Sequence, residues 1–237
     1  MLKITKMEWD TNFWNVGLYN ANKLYEAEPN ELDYHNELDS TPYIIQALAN
    51  DSDIDYINFL VDNNFRFVES KVNLVKEVQE ESEIVEVNAF QDAKVEDFHV
   101  WKDKFYSLYG GVSRFSSIGS KQKINEFYYT WVTNSIKGEL DDNCVGYYGE
   151  DSLEGFITYK ISNKKLVIGL IGVFPEFQGK KISQRLLCFI NNLSINNNCN
   201  KIYVSTQGRN TKAINAYIKS GFLINNIMQW YYCKGGF

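Results

Sequence analysis

Residues 172–183 read GVFPEFQGKKIS. An apolar run meets Pro175, a short Gln-Gly-Lys-Lys-Ile-Ser stretch follows, and an apolar helical pattern begins. Backbone-exposing residues and two adjacent cations, Lys180 and Lys181, thus stand where a helix starts. The first N–H groups of a helix have no intrahelical partner and carry a partial positive charge. Such a place binds anions, phosphates above all. Gln178, Gly179, Lys180, Lys181, Ile182 and Ser183 are therefore candidates for an anion site; the competing reading is a basic helix start that holds no ligand. A second stretch, NTKAINAYIKSGF (210–222), sets Tyr217 on a helix face with Ala213 and Ile214. From spacing alone Tyr217 reads as a core aromatic. His35 and His99 stand apart, and Cys144, Cys188, Cys199 and Cys233 form no C-x-x-C pair. No metal and no histidine-dependent triad is expected, and the cysteines read as reduced, inert thiols.

The elements that must position these residues parse well after residue 84. IVEVNAF (84–90) alternates like a strand, and Asp92 is placed to cap a helix carrying Val95, Phe98, Trp101 and Phe105. A second helix is expected over 121–137, stopped by Gly138. NCVGYYGE, LEGFITYKIS and KLVIGLIGVF read as three successive strands. Ile182, Leu186, Phe189, Ile190 and Leu193 give a helix its apolar face. KIYVST (201–206) is a strand, Asn210 caps the next helix, Gly221 stops it, and a last strand covers about 223–232. The order β-α-α-β-β-β-α-β-α-β describes a mixed α/β domain. The acidic run near Glu80–Glu83 suggests a boundary, giving residues 1–80 as a smaller N-terminal domain and 81–237 as the main one.

The N-terminal part echoes the end of the chain. Residues 43–74 align with 201–232 without a gap, which puts Ser52 on Asn210. A shift by one residue instead pairs Ile57 with Ile214, Asn58 with Asn215, Phe65 with Phe222, and Leu60 with Tyr217, with better identities. This reads as one strand-helix-strand unit used twice, against chance similarity of two amphipathic units. The first copy lacks a counterpart of QGKKIS and should lack the anion site.

Composition bounds the rest. The 237 residues are 44% hydrophobic and 15% aromatic, enough for a sizeable core, and the formal net charge of −6 argues against a nucleic-acid partner. The start, MLKITKMEWDTNFW, shows no apolar leader, and no apolar run reaches membrane-spanning length. A cytoplasmic protein is expected, and a homodimer is compatible with all of this.

GLIGVFPEFQGKKISQRLL followed by VSTQGRNTKAINAYIKSGF resembles the GCN5-related N-acetyltransferases (GNAT). The first stretch is similar to their strand, Q/R-x-x-G-x-G/A turn and helix; the second to their N-x-x-A…Y-x-x-x-G-F helix. Over more of the chain, MEWDTNFWN, SRFSS, WVTNSIKGELDDNCVGYY and the closing WYY resemble the bacterial nucleotide-amino-sugar N-acetyltransferases of the TDP-fucosamine type. That subfamily carries a partial N-terminal copy of the fold. The resemblance implies an α/β GNAT acyltransferase fold over 81–237 with a partial GNAT domain over 1–80.

The resemblance also implies the chemistry. Acetyl-CoA would be the cosubstrate, and the acceptor a small-molecule amine, in first place a nucleotide-linked deoxyamino sugar of surface-polysaccharide or lipopolysaccharide synthesis. Phe177 and the amides of Gln178–Ser183 would hold the pyrophosphate, Ile171 would pair with pantetheine, and the Val173 N–H would polarise the thioester carbonyl. The strand carrying them must diverge from 201–206 to admit the cofactor arm, near Pro175. Asn210 would contact the cofactor as well as cap its helix. Tyr217 would protonate the departing thiolate, with a phenol pKa of about 10 close enough to a thiol's to donate. Lys181 and Ser183 depart from the family's small residues. If Lys181 sits at positive φ, the strain is on the order of 1 kcal/mol. Phe13 and Trp14 are candidates for the acceptor cleft, or plain core. Asp141, Asp142 and Glu154 are candidates for the general base, or solvated turn residues. An acetyltransferase of another amine (a protein N-terminus, a polyamine, an antibiotic) and a non-catalytic CoA-binding module stay open beside the first reading.

Overall fold

A computed structural model describes residues 2–23, 38, 42–78, 87–150 and 152–237. The chain divides into two compact units, one comprising Met1–Val72, Gln207–Arg209 and Asn226–Phe237, the other Asn73–Thr206 and Asn210–Asn225. The boundary read near Glu80–Glu83 lies outside the described residues.

In the first unit β1 (Leu2–Lys6) pairs antiparallel with β2 (Gly17–Lys23), with α1 (Glu8–Trp14) between them in the chain. β2 runs parallel to β3 (Tyr43–Asn50). β3 in turn pairs antiparallel with β10 (Leu223–Gly235), from Asn50 opposite Met228 to Tyr43 opposite Gly235. α2 (Ile54–Asp62) leads into β4 (Arg66–Glu77), which belongs to this unit up to Val72. Tyr56 and Leu60 from α2 pack with Tyr19, Ile45, Ala47, Phe65 and Tyr231 in the core.

The second unit carries the other helices. β5 (Phe90–Asp92), β6 (Asn143–Tyr148), β7 (Leu153–Ser162) and β8 (Lys165–Val173) form an antiparallel series, and β9 (Lys201–Gln207) joins β8 in parallel. α3 (Lys121–Ile136), α4 (Ile182–Asn196) and α5 (Thr211–Lys219) stand close to the expected bounds. Ile182, Leu186, Leu187 and Ile190 form the buried face of α4. The Asn210 side chain caps α5 by accepting from the Ala213 N–H at 3.3 Å, and Gly221 ends it at φ +86.

Two expectations are corrected after residue 84. Val87–Ala89 form a 3-10 turn, so the strand begins only at Phe90, and residues 84–86 lie outside the described ones. It is a three-residue strand, matching the three β6 residues that it faces. Asp92 ends that strand and accepts from Asn143 Nδ2 at 2.7 Å. The helix after it is 3-10 over Val95–Trp101, and Asp97 takes up the Lys94 N–H at its start. Phe105 falls outside that helix, just before a π-helical turn, Tyr106–Gly110. The cause lies on α3: Asn125 accepts the Tyr106 N–H and donates to the Asp103 carbonyl, diverting the local ladder.

The two strand-helix-strand stretches follow the shifted register. Asp53 caps α2 from its side chain as Asn210 caps α5, and Asn64 at φ 64 stands where Gly221 does. The Phe65 N–H closes on the Leu60 carbonyl at 2.9 Å, and the Phe222 N–H on that of Tyr217 at 3.0 Å. Ser52, the cap in the gapless register, has no such role.

Candidate active site

The site grows from a split between two parallel strands. β8 and β9 pair from Lys165 opposite Lys201 to Ile168 opposite Val204, and no further, although both strands continue. The β7–β8 register shifts at this level, where Thr158 Oγ1 takes the Leu170 N–H at 2.8 Å. A bulge bends its strand and raises its twist. Gly169 is required here, because a Cβ would lie 2.4 Å from Asp141 Oδ2 and 2.6 Å from Thr158 Oγ1.

The strand edge left open is readable group by group. Antiparallel pairs alternate between bonded and non-bonded residues. The Phe174 N–H donates to the Glu154 carbonyl at 3.0 Å, and Gly172 lies two residues back on the same ladder. The backbone groups of Ile171 and Val173 therefore point away from β7, toward the open edge. The Ile171 carbonyl accepts from the Tyr109 hydroxyl at 2.9 Å, and the Val173 carbonyl from Gln178 Nε2 at 3.1 Å. The N–H groups of Ile171 and Val173 are left without a ladder partner.

Beyond β8 a 3-10 turn, Pro175–Phe177, delivers the chain to α4. Gly179 takes φ +84 and Lys181 takes φ 62, ψ 15. Lys181 thus does adopt the left-handed conformation, at a cost on the order of 1 kcal/mol for a residue with a Cβ. No side chain caps α4. Among the described residues the N–H groups of Gly179, Lys180, Lys181, Ile182 and Ser183 have no hydrogen-bond partner, so five consecutive donors stand at a helix N-terminus. With two lysine ammonium groups on the same turn, the chemistry of this place is that of an anion cradle.

A cavity of about 370 Å3 joins these parts. It brings together Ile171, Val173, Gln178, Gly179, Lys181, Ile182, Ser183, Asn210 and Tyr217 from the residues singled out in the sequence. Phe177 and Lys180 lie on the same turn but not on its wall: Lys180 Nζ stands 5.1 Å from the Phe177 ring, which meets Trp101 edge-on. Phe13 and Trp14 belong to the first compact unit, on α1, where Phe13 stacks on Trp9 at 5.0 Å and Trp14 is buried. None of Asp141, Asp142 and Glu154 lines the cavity. Asp141 is no solvated turn residue: it is buried, with Ser135 Oγ at 2.8 Å and Trp131 Nε1 at 3.3 Å. Asp142 accepts from the Ile161 N–H at 2.7 Å.

The wall also includes Leu108, Tyr109, Gly172, Leu187, Lys212, Ala213 and Ala216. Tyr109 carried no sequence signal, because a π-helical turn leaves no simple periodicity. Ala213 and Ala216 are three residues apart on α5, a spacing that marks one helix face without saying whether it meets core or cavity. Tyr217 is buried, which pushes its phenol well above the ordinary tyrosine range. Among the described residues its hydroxyl has no hydrogen-bond partner. The O–H is neutral, unengaged and on the cavity wall, so it is placed to give a proton to a leaving group, but burial moves its pKa further from a thiol's than the ordinary phenol value expected from sequence, which makes the transfer harder.

The sequence profile of the acetyltransferase (GNAT) family matches residues 89–222. The chain belongs to this family. A sequence relative is the spore coat polysaccharide biosynthesis protein SpsD of Bacillus subtilis (strain 168), 24% identical over 117 residues, 49% of this chain and 40% of SpsD. In structure the GNAT chain is similar to a GCN5-related N-acetyltransferase from Sphaerobacter thermophilus, with TM-score 0.59, 12% identity, 81% of this chain and 60% of the other covered. It is also similar to a GCN5-related glucosamine N-acetyltransferase region in a fungal multi-domain GH3 β-N-acetylglucosaminidase, with TM-score 0.60 and 10% identity, covering 98% of this chain and 31% of the other. This chain spans less than two thirds of each of these relatives. The structural likenesses show the GNAT fold, an α/β acyltransferase architecture.

Proposed function

We propose that this GNAT protein is an acetyl-CoA-dependent N-acetyltransferase whose acceptor is the amino group of a nucleotide-linked deoxyamino sugar. One observation carries the cofactor part: the split of β8 from β9 leaves two backbone donors on an open edge, and the edge runs into five unpartnered amides at the start of α4. The residues present fit an acyl-CoA, which has a pyrophosphate at one end and amide and thioester carbonyls along its arm. Acetyl-CoA supplies the acyl group and a thiol leaving group. The amides of Gly179–Ser183, with Lys181, hold the pyrophosphate; Ile171 N–H binds the pantetheine arm; Val173 N–H polarises the thioester carbonyl. The neutral amine attacks the thioester carbonyl and forms the C–N bond; as the C–S bond breaks Tyr217 gives its proton to the departing sulfur, and the proton lost by the nitrogen restores the phenol by way of water. The acceptor reading rests on the likeness to SpsD, a polysaccharide biosynthesis protein by name. In this reading residues 1–80 are a partial second copy of the fold, Phe13 and Trp14 stay candidates for binding the acceptor, and the protein works in the cytoplasm. No helix among the described residues is long and apolar enough to cross a membrane.

Calorimetry with acetyl-CoA, together with thiol release measured over nucleotide-linked amino sugars, peptides and polyamines, tests this reading. We expect binding of acetyl-CoA and turnover on an amino-sugar nucleotide. Turnover confined to peptides or polyamines would replace the acceptor. Binding without turnover on any amine would leave a CoA-binding module.

A further inference from the structure

We propose that Thr158 on β7 is a positioning residue for the cofactor arm: its side-chain hydroxyl, not a backbone group, holds the extra residue of β8 at Gly169–Leu170 and so fixes which way Ile171 and Val173 face. This rests on the acetyl-CoA reading above and names the residue that keeps that site in shape.

The register places the extra residue. Ile157 pairs with Ile171 and Tyr159 with Ile168, so Thr158 alone stands opposite Gly169 and Leu170. A bulge of this kind leaves a backbone group without its ladder partner. Here the group is the Leu170 N–H, and Thr158 Oγ1 accepts from it at 2.8 Å. Thr158 is fully buried, so hydroxyl and N–H satisfy each other where water does not reach. The hydroxyl can approach because position 169 is glycine, since a Cβ there would lie 2.6 Å from it. The β8–β9 pairing ends at Ile168, the residue before the bulge.

The bulge decides faces as well. Partners across an antiparallel ladder point to one face, and side chains alternate along a strand. Ile157 and Tyr159 share a face, and hence so do their partners Ile171 and Ile168. Without the extra residue Leu170 would share that face instead. Beyond the bulge Val173 pairs with Gly155, where a Cβ would meet Ile182 and Leu186 of α4 at 3.0 and 3.4 Å. Gly172 takes the opposite face, where a Cβ would lie 2.7 Å from the Phe156 ring and 2.9 Å from the Tyr109 hydroxyl. A one-residue slip sends every side chain to the other face. It would press Ile171 or Val173 into a place with no room for a Cβ, and it would turn the backbone groups of both from the cavity to β7. Thr158 holds the strand against that slip.

The test compares Thr158→Val, which keeps the shape and removes the acceptor, with Thr158→Ser, which keeps the hydroxyl. Both are checked for fold by thermal melting, and affinities are measured for CoA and for ADP, which has a pyrophosphate but no pantetheine arm. We expect Thr158→Val to bind CoA on the order of tenfold more weakly with ADP unchanged, and kcat to fall on the order of tenfold as the Val173 N–H leaves its place beside the thioester carbonyl. Thr158→Ser should restore both. Wild-type CoA affinity and kcat in a folded Thr158→Val would sink the positioning role; so would equal weakening of CoA and ADP, which marks general loosening. A second measurement needs no variant. Amide exchange by NMR on the free wild type should show the Leu170 N–H strongly protected, as a donor bonded inside the sheet, and fast exchange there would overturn the inference. A wild type that binds ADP but not CoA would remove the acetyl-CoA reading and this inference together, whereas normal CoA binding with an indifferent Thr158→Val removes this inference alone.

Discussion

Residues 43–77 and 200–234 build the same strand-helix-strand unit at a separation of 157 residues, and the second lines the cavity described above. The helices α2 and α5 are nine residues long in both. The cap, the left-handed residue that ends each helix and the hydrogen bond that closes it coincide position by position. What differs is side-chain volume and chemistry. Tyr56 lies in the core of the first stretch and the half-buried Phe59 packs against it, where the second stretch has Ala213 and Ala216 on the cavity wall. Leu60 is fully buried where the second has Tyr217 and its unengaged hydroxyl. The first stretch has no counterpart of QGKKIS, which lies outside the residues that match. The backbone unit is thus a scaffold that either closes on itself or opens a cleft. Two alanines, one phenol and one turn decide which.

The largest effect should come from removing the phenol's proton. Tyr217→Phe keeps the ring and its contact with Phe222, at 5.6 Å between centroids. If Tyr217 is the general acid, kcat in single turnover falls by roughly 10²–10⁴ while acetyl-CoA affinity changes little. A thioester with a more acidic thiol should recover part of the loss, since its leaving group needs less protonation. A variant as fast as wild type on acetyl-CoA would reduce Tyr217 to the counterpart of Leu60, a core residue.

The second effect tests whether the alanines make the cleft. Ala213→Tyr carries the first unit's residue into the second. It should fill part of the cavity and weaken CoA by about 100-fold, or about 2.7 kcal/mol. Loss of helix propensity costs only a few tenths of a kcal/mol, so the melting temperature should hold. Calorimetry beside thermal melting decides the matter, and wild-type affinity would show that the ligand arm does not run past α5.

Much of this contrast was legible in the sequence, and the limits are physical. The Asn210 cap, the Gly221 stop and the apolar face of α4 are local signals, and the elements follow them. The strain at Lys181 could be foreseen because the resemblance places a lysine at a turn position where it implies a small residue. Tyr109 could not be found, because its place depends on Asn125 redirecting a turn from another helix. The cavity role of Ala213 and Ala216 was hidden as well: an alanine face looks alike whether it meets a strand or a ligand, and only the split of β8 from β9 separates the cases. The Asp92 cap failed because Asn143 claims that carboxylate from the neighbouring strand.

The smallest expected effect is one of pH, and it separates the two units by charge alone. Asp53 caps α2 through the Tyr56 N–H at 3.2 Å and also meets Lys23 Nζ at 2.6 Å. The Lys23 hydrogen bond comes first among the causes that hold its carboxyl below the usual range. A depressed folded pKa contributes stability that is fully present above the unfolded value, about 3.9, and is lost as pH falls through the folded one. Asn210 caps α5 without a charge and has no such dependence. Acidification from about pH 5 to below the ordinary carboxylate range should therefore loosen the first turn of α2, raising amide exchange there, while the matching turn of α5 keeps its protection. Other carboxylates titrate over the same window, so the control is Asp53→Asn. Asparagine caps a helix as well as aspartate does. The variant should start slightly less stable at neutral pH, having lost the Lys23 pair, and its α2 should then respond to acid as α5 does. Equal acid response of α2 in wild type and variant would show that the Lys23–Asp53 pair adds nothing to that cap.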